Sequence, residues 1–284
     1  MTSATRLIDL HPNVKINTII RHPPGSQSEH GSPTIVFLHF WGGSSSTWSL
    51  VNPLVSEKYP TIALDFRGWG CSSGPDERGA YSIAALAGDV EEVIAALEIN
   101  EVVLVGLSMG AKVAQLVAAH MCAGAARNKE AAKLRGLILV SPAPPTPLTL
   151  PPDMREQQLH AYDDEISATF VAINVLTTRF RSESRILPDF VVSDMVGGNK
   201  WAKEAWPAYA MAEDVSGAVG NVTVPVLVLA AAEDVVEPLH RVETELVSRF
   251  PNARVEVLPK SGHLSPLDAP EAVAGYLLEF MEHM

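Results

Sequence analysis

Cysteine is nearly absent: Cys71 and Cys122 are the only two in 284 residues, too few for a disulfide scaffold or a cysteine-rich metal site. No apolar run in the sequence reaches the length needed to span a bilayer. Positive charge is also short, with 21 Lys and Arg against 33 Asp and Glu and a net charge of -12, which speaks against a nucleic-acid or polyphosphate surface. Neither an H-E-x-x-H nor a Walker pattern occurs. Residues 1–15 are polar and interrupted by Pro12, unlike a secretory signal. What these absences leave is a globular chain, 47% hydrophobic and 19% charged, whose length suits one large α/β domain with an insertion. A cytoplasmic setting, no membrane span, no nucleic-acid partner and a monomeric or homodimeric state are the expectations.

The most informative stretch runs from Glu101 to Ala114. Val102 to Val105 is an apolar run too continuous for a half-solvated strand, so it predicts a strand buried on both faces. Gly106-Leu107-Ser108-Met109-Gly110 follows, and then a helical pattern over 111–120. Strand, G-x-S-x-G, helix is the context in which that pentapeptide forms a strained turn presenting its serine above the sheet. Glycine is needed on both sides because a Cβ would collide with the neighbouring strand or helix. The turn also leaves the Met109 amide at a helix N-terminus, free to face an anion. Ser108 is therefore the candidate nucleophile.

Other segments fit around that unit. Residues 14–20 alternate apolar and polar, as an edge strand does, and 22–33 reads as a loop rich in Pro, Gly and Ser. Buried strands are expected over 34–38, 61–66 and 137–140. A helix capped by Ser82 should bury Ile83, Leu86, Val90, Ile94 and Leu97 on one face. From Ser141 the alternation stops at a run of prolines, and 153–220 shows helical stretches without a convincing strand. It resumes with a strand over 226–230, a helix with Leu239, Val242, Leu246 and Phe250 on one face, a strand over 254–258 and a helix opened by Pro270. Strands alternating with amphipathic helices predict parallel βαβ units. Residues 1–141 and 221–284 form the expected core, and 142–220 the expected insertion.

A serine hydroxyl needs a base, and the base needs an orienting group. Functional groups in an open parallel sheet collect at the carboxyl ends of its strands, where two of the nine histidines fall, His39 and His263. His263 lies in a loop after the last strand that can bring an imidazole over Ser108. His39 closes its strand directly, which suits a hydrogen-bonded structural residue, though it stays a rival base and a candidate pocket residue. Asp234, just past the strand over 226–230, is the candidate orienting acid, with Glu233 its rival. Glu237, beside Pro238, suits an acid at a helix N-terminus. Gly68-Trp-Gly-Cys-Ser-Ser-Gly74 misses the dinucleotide fingerprint by one place and is read as a tight turn.

The chain order Ser108, Asp234, His263 is the α/β-hydrolase order. With His39-Phe-Trp-Gly-Gly, Asp65-Phe-Arg-Gly-Trp-Gly, Glu233-Asp-Val-Val-Glu-Pro and Gly262-His-Leu-Ser-Pro, the chain resembles the α/β-hydrolase fold superfamily, in its serine esterase and cofactor-free haloperoxidase-like branch. The resemblance implies a mostly parallel central sheet flanked by helices on both faces, with 142–220 as a small helical cap. It implies catalysis by Ser108, Asp234 and His263 without metal or cofactor, and an oxyanion hole from the amide of Met109 and that of Trp41 or Phe40. Phe40 stands where the family places a glycine. Serine at position 108 disfavours the branches that use an aspartate there.

Phe170, Phe190, Trp201, Trp206 and Tyr209 in the insertion, with His39, are candidates to shape a pocket; each insertion aromatic can instead anchor the segment to the core. A small, largely apolar ester or lactone is the expected substrate. Cleavage of a carbon–carbon bond, perhydrolysis, or ligand binding without turnover are the alternatives, since fold and triad do not fix the substrate.

Overall fold

The structure is a computed structural model that describes residues 2–25, 32–125, 132–183, 185–250 and 253–284. Residues 26–31 of the expected 22–33 loop lie outside the described residues. Eight strands make one sheet: β1 (Thr2–His11), β2 (Val14–His22), β3 (Thr34–Leu38), β4 (Thr61–Leu64), β5 (Glu101–Leu107), β6 (Lys133–Val140), β7 (Val226–Ala231) and β8 (Ala253–Leu258). Their order is β1-β2-β4-β3-β5-β6-β7-β8. From β4 to β8 every neighbouring pair is parallel, while β2 pairs antiparallel with β1 and β4. Residues 14–20 are therefore not the edge strand expected of them. Residues 2–11 form the edge, joined to β2 by a turn at Pro12 and Asn13.

The apolar runs of β3, β5 and β6 are buried on both faces, as parallel strands covered by helices must be. Helix α1 (Ile83–Ala96) buries Ile83, Leu86, Val90 and Ile94, and the Ser82 hydroxyl accepts from the Ala85 amide at 3.0 Å to cap it. Arg67, just past β4, pairs in two-pronged fashion with Asp89 on the buried side of α1. Helix α2 (Met109–Ala125) follows β5 directly.

Between β6 and β7 the described residues form no strand. Helices α3 (Pro152–Leu159), α4 (Glu165–Val171), α5 (Arg179–Ser182), α6 (Asp189–Gly197) and α7 (Lys200–Ala208) occupy this stretch, with a π turn at Ala172–Leu176. Several hydrogen bonds tie it to loops at the carboxyl ends of the core strands. Trp41 Nε1 donates to Lys203 O at 3.0 Å, Asn199 N to Gly68 O at 2.7 Å, and Leu264 N to Leu176 O at 2.7 Å. The helical segment thus lies across the edge of the sheet where the strands end.

The helix expected after β7 is broken into Leu239–Arg241, a π turn Val242–Leu246 and a 3₁₀ turn Val247–Arg249. Val242, Leu246 and Phe250 are still buried. Thr244 Oγ1 donates to His240 O and Ser248 Oγ to Thr244 O, both at 2.8 Å, the back-bonding by which Ser and Thr compete with regular helix. Helix α8 (Pro270–Glu282) opens on its proline and packs against the sheet at Gly136 of β6, where its Phe280 lies. Among the described residues no helix is long and apolar enough to cross a membrane.

Candidate active site

Ser108 sits between β5 and α2 with φ +56°, the left-handed region that a side chain normally avoids. Two glycines let it stay there. A Cβ on Gly106 would run into the backbone of Gly110 and Ala111, and one on Gly110 into the carbonyls of His39 and Leu38. The strand, the turn and the helix therefore approach more closely than any other residue would allow.

The described structure brings Ser108, Asp234 and His263 together. His263 Nε2 lies 2.7 Å from Ser108 Oγ, and Nδ1 lies 2.9 Å from Asp234 Oδ2. A carboxylate can only accept, so Nδ1 carries the hydrogen and Nε2 presents its lone pair to the serine hydroxyl. Asp234 Oδ1 is held in turn by the amides of Val236 and Glu237 at 2.8 and 2.9 Å. Glu233, the rival acid, is exposed. Ser108, Asp234 and His263 are all buried.

Burial alone would pull the His263 imidazole down. The charge of Asp234, its hydrogen bond and the charge of Glu237 outweigh that, and the net shift is upward from the ordinary 6.5. His39 is the opposite case. Its Nε2 accepts from the Phe66 amide at 2.9 Å, and its Nδ1 faces Phe40 O at 2.7 Å. Burial takes it down to about 4, against smaller upward pulls from Phe40 and Asp65. Both ring nitrogens are committed to backbone, so His39 is neither a base nor a pocket residue, and the expectation that it lines a pocket is corrected.

The loop after β3 brings a second set of backbone groups to the site. Phe40 O accepts from His39 Nδ1 and from Gly43 N at 3.0 Å. A trans peptide is planar with its N–H opposite its C=O, so the Trp41 amide points away from those two partners. The His39 carbonyl is packed against Gly110, which by the same geometry turns the Phe40 amide away from the start of α2. Among the described residues neither the Trp41 nor the Met109 amide donates to a protein acceptor. The Trp41 ring stacks on Tyr162 at 4.1 Å between centroids, and Tyr162 OH donates to Trp41 O at 3.1 Å.

The remaining aromatic candidates scatter. Phe170 is 62% exposed and faces solvent. The expectation that it walls a pocket is corrected, because α4 and the following turn bury Ala168 and Ala172 instead. Trp201 Nε1 donates to Asp76 Oδ1 at 2.6 Å and Tyr209 OH to Arg78 O at 2.7 Å, so both fasten the helical segment to the loop before α1. Trp206 is in the core. Phe190 and Phe40 line a crevice of about 10 Å³ beside Gly42 and Gly43. A larger cavity of about 330 Å³, with Asn17, Ser44, Asp65, Cys71 and Asp194 in its wall, lies beyond that loop and includes none of the three central residues.

Two residues escaped the sequence reasoning. Lys112, one turn after Ser108, is fully buried and donates to Thr146 O and Met211 O at 3.0 and 2.9 Å. It ties down both ends of the helical segment, and burial pushes its ammonium down to about 8 against upward pulls from Glu213, Asp214 and Glu237. A lysine amid Ala111, Val113 and Ala114 was the available signal. Asp268, also buried, left no such trace. Among the described residues no group of three or more His, Cys, Asp or Glu side chains is placed to hold a metal ion.

A family model described as the Alpha/beta hydrolase family matches residues 35–276. A putative non-heme bromoperoxidase, BpoC, of Mycobacterium tuberculosis is 27% identical over 263 residues, covering 88% of this chain and 94% of that protein. Among solved structures, a bromoperoxidase from Bacillus anthracis superposes with a TM-score of 0.81 at 17% identity, covering 99% of this chain and 100% of the other. The esterase EaEST from Exiguobacterium antarcticum gives 0.77 at 21% identity, covering 97% and 98%.

Proposed function

The chain belongs to the alpha/beta hydrolase family, and from that premise we propose that it is a serine hydrolase cleaving a carboxylic ester or lactone of a small, largely apolar substrate through an acyl-enzyme at Ser108. The observation that carries this is the unbroken line from Asp234 through His263 to Ser108, at 2.9 and 2.7 Å. Ser108 attacks the carbonyl carbon while its proton passes to His263 Nε2. Asp234 stays ionised and holds the imidazolium in place. The carbonyl oxygen becomes an oxyanion that the amides of Met109 and Trp41 receive. His263 then returns the proton to the leaving alkoxide, and water, activated by the same imidazole, releases the acid.

Residues 142–220 act as a helical cap on a core made of 1–141 and 221–284. Their bonds to the loops after β3, β4 and β8 support this, as does the anchoring of Thr146 O and Met211 O by Lys112, one turn after Ser108. Relatives named as bromoperoxidases favour a second reading, in which hydrogen peroxide replaces water as acyl acceptor and the product is a peroxy acid. Labelling by a fluorophosphonate, followed by a panel of esters and lactones of graded chain length, tests the main reading. Wild type should label and Ser108→Ala should not, retaining at most roughly 10³–10⁴-fold over the uncatalysed rate. Failure of the wild type to label, or near-normal turnover by Ser108→Ala, overturns it. Peroxide in the same assay reports peroxy-acid formation.

A further inference from the structure

His263 is held in place by something other than its two ring partners. The amides on either side of it are both fastened. Gly262 N donates to Asp268 Oδ2 at 2.8 Å, and Leu264 N donates to Leu176 O at 2.7 Å, inside the helical segment. Asp268 also accepts from Thr178 N on Oδ2 at 2.9 Å and from Arg179 N on Oδ1 at 3.1 Å. Its own carbonyl accepts from Arg179 Nη1 at 2.7 Å. One buried carboxylate therefore takes three backbone amides from two stretches of chain that are remote in sequence. Gly262 lets them meet: a Cβ there would sit 3.0 Å from Thr178 Oγ1 and 3.2 Å from Leu176 O. Amide bonds to a charged acceptor are about twice as strong as neutral ones, so this junction is stiffer than the loop alone.

We propose that Asp268 is a positioning residue for His263: its carboxylate fastens the imidazole-bearing loop to residues 176–179 of the helical segment, so that the histidine meets Ser108 only while that part of the segment is docked. This rests on the hydrolase reading above. A displacement of about 1 Å in such a group lowers rates on the order of 100-fold.

Asp268→Asn is the direct test. Oδ1 and Oδ2 both accept amides, so whichever way the new carboxamide turns, its NH₂ faces a donor. Thr178→Pro is the second variant. It deletes one of the three amides; Thr177 already has the extended ψ of 155° that a following proline needs, while φ at 178 must close from -108° toward the value a proline ring fixes. Three quantities are read at matched folded fraction: the second-order rate of fluorophosphonate labelling, the kcat and KM for a short ester, and the low-field proton resonance of His263 Nδ1–H. Labelling and kcat are expected to fall on the order of 100-fold in Asp268→Asn and less in Thr178→Pro. KM should hold, and the resonance should broaden or vanish. If either folded variant keeps wild-type labelling and an intact resonance, the proposal is wrong; if Asp268→Asn does not fold, Thr178→Pro decides. A wild type that does not label sinks the hydrolase reading instead, and the resonance, which needs no turnover, still decides the positioning role.

Discussion

His39 and His263 both follow the carboxyl ends of strands in one sheet, both are sealed from solvent, and burial pushes both imidazoles the same way. Their partners differ. His39 meets a backbone N–H and a backbone carbonyl, groups that do not titrate. Protonating it would set an N–H against the Phe66 amide. His263 meets a carboxylate and a hydroxyl, one able to stabilise its charge and the other able to give up a proton. Burial thus leaves the first ring a neutral strut with its pKa near 4. The second has a pKa above the ordinary value, as a base needs when it must hold a proton through a reaction step.

Asp234→Asn attacks that contrast most severely. A carboxamide can offer Nδ1 a donor, favouring the tautomer with hydrogen on Nε2, and the lone pair facing Ser108 is lost. The expected fall in kcat is roughly 10⁴-fold, with folding little changed, checked by steady-state rates beside a melting curve. Undiminished activity would mean that the acid is elsewhere and that the two histidines differ less than their partners suggest.

The pH dependence of stability separates the same pair by sign. His39, with its folded pKa depressed, contributes stability above pH 6.5 that is lost as pH falls through about 4. His263, with its folded pKa raised, contributes below 6.5 and loses that contribution as pH rises through its folded value. Between pH 6.5 and 4 the His39 contribution amounts to on the order of 3 kcal/mol. His39→Gln keeps an acceptor for Phe66 and a donor for Phe40. Unfolding free energies across this window should decline less steeply with acid in the variant, while the acid limb of its activity stays where it is in wild type. A shifted limb would show that His39 does take part in the chemistry.

How much of this was legible in the sequence depended on whether a residue's partner was local. The Gly106–Gly110 turn carries its own reason, since each glycine is explained by contacts that the strand–turn–helix geometry dictates. The histidine and acid were narrowed by their places at strand ends. β1 was missed because its side chains are exposed on nearly every position, so no hydrophobic alternation marks it. Asp268 was missed because its partners are main-chain amides of Thr178, Arg179 and Gly262, which no side-chain pattern announces. Phe170 misleads because aromatic character alone does not fix burial: its helix buries Ala168 and leaves the ring in solvent.

A smaller effect joins the two corners. The His39 carbonyl lies against Gly110, so Gly110→Ala must push backbone against backbone. Overpacking of this kind destabilises by about 1–3 kcal/mol, and here it also moves the Met109 amide. The expected signature is a lowered melting temperature together with a fall in kcat exceeding any change in KM. A normal kcat in the folded variant would separate the His39 corner from the site.

The finest test concerns Glu237. Its carboxyl is buried, its amide holds Asp234 Oδ1, and it meets Arg241 Nη1 at 3.2 Å. Burial pushes it up to about 7, with His263 and Arg241 pulling it back. Each of Glu237 and His263 shifts the other's ionisation, so the two belong to a coupled set. As pH rises, Glu237 gains charge and makes His263 hold its proton more firmly, which spreads the acid limb of activity over a wider range. Glu237→Gln removes that charge and keeps the amide on Asp234. The limb should move to lower pH, because one upward pull on His263 is gone, and should narrow toward a single-proton curve. Profiles of kcat/KM against pH for the two proteins check this. An unchanged limb would assign the upward shift of His263 to Asp234 alone, and the difference between the two histidines would then reduce to one carboxylate.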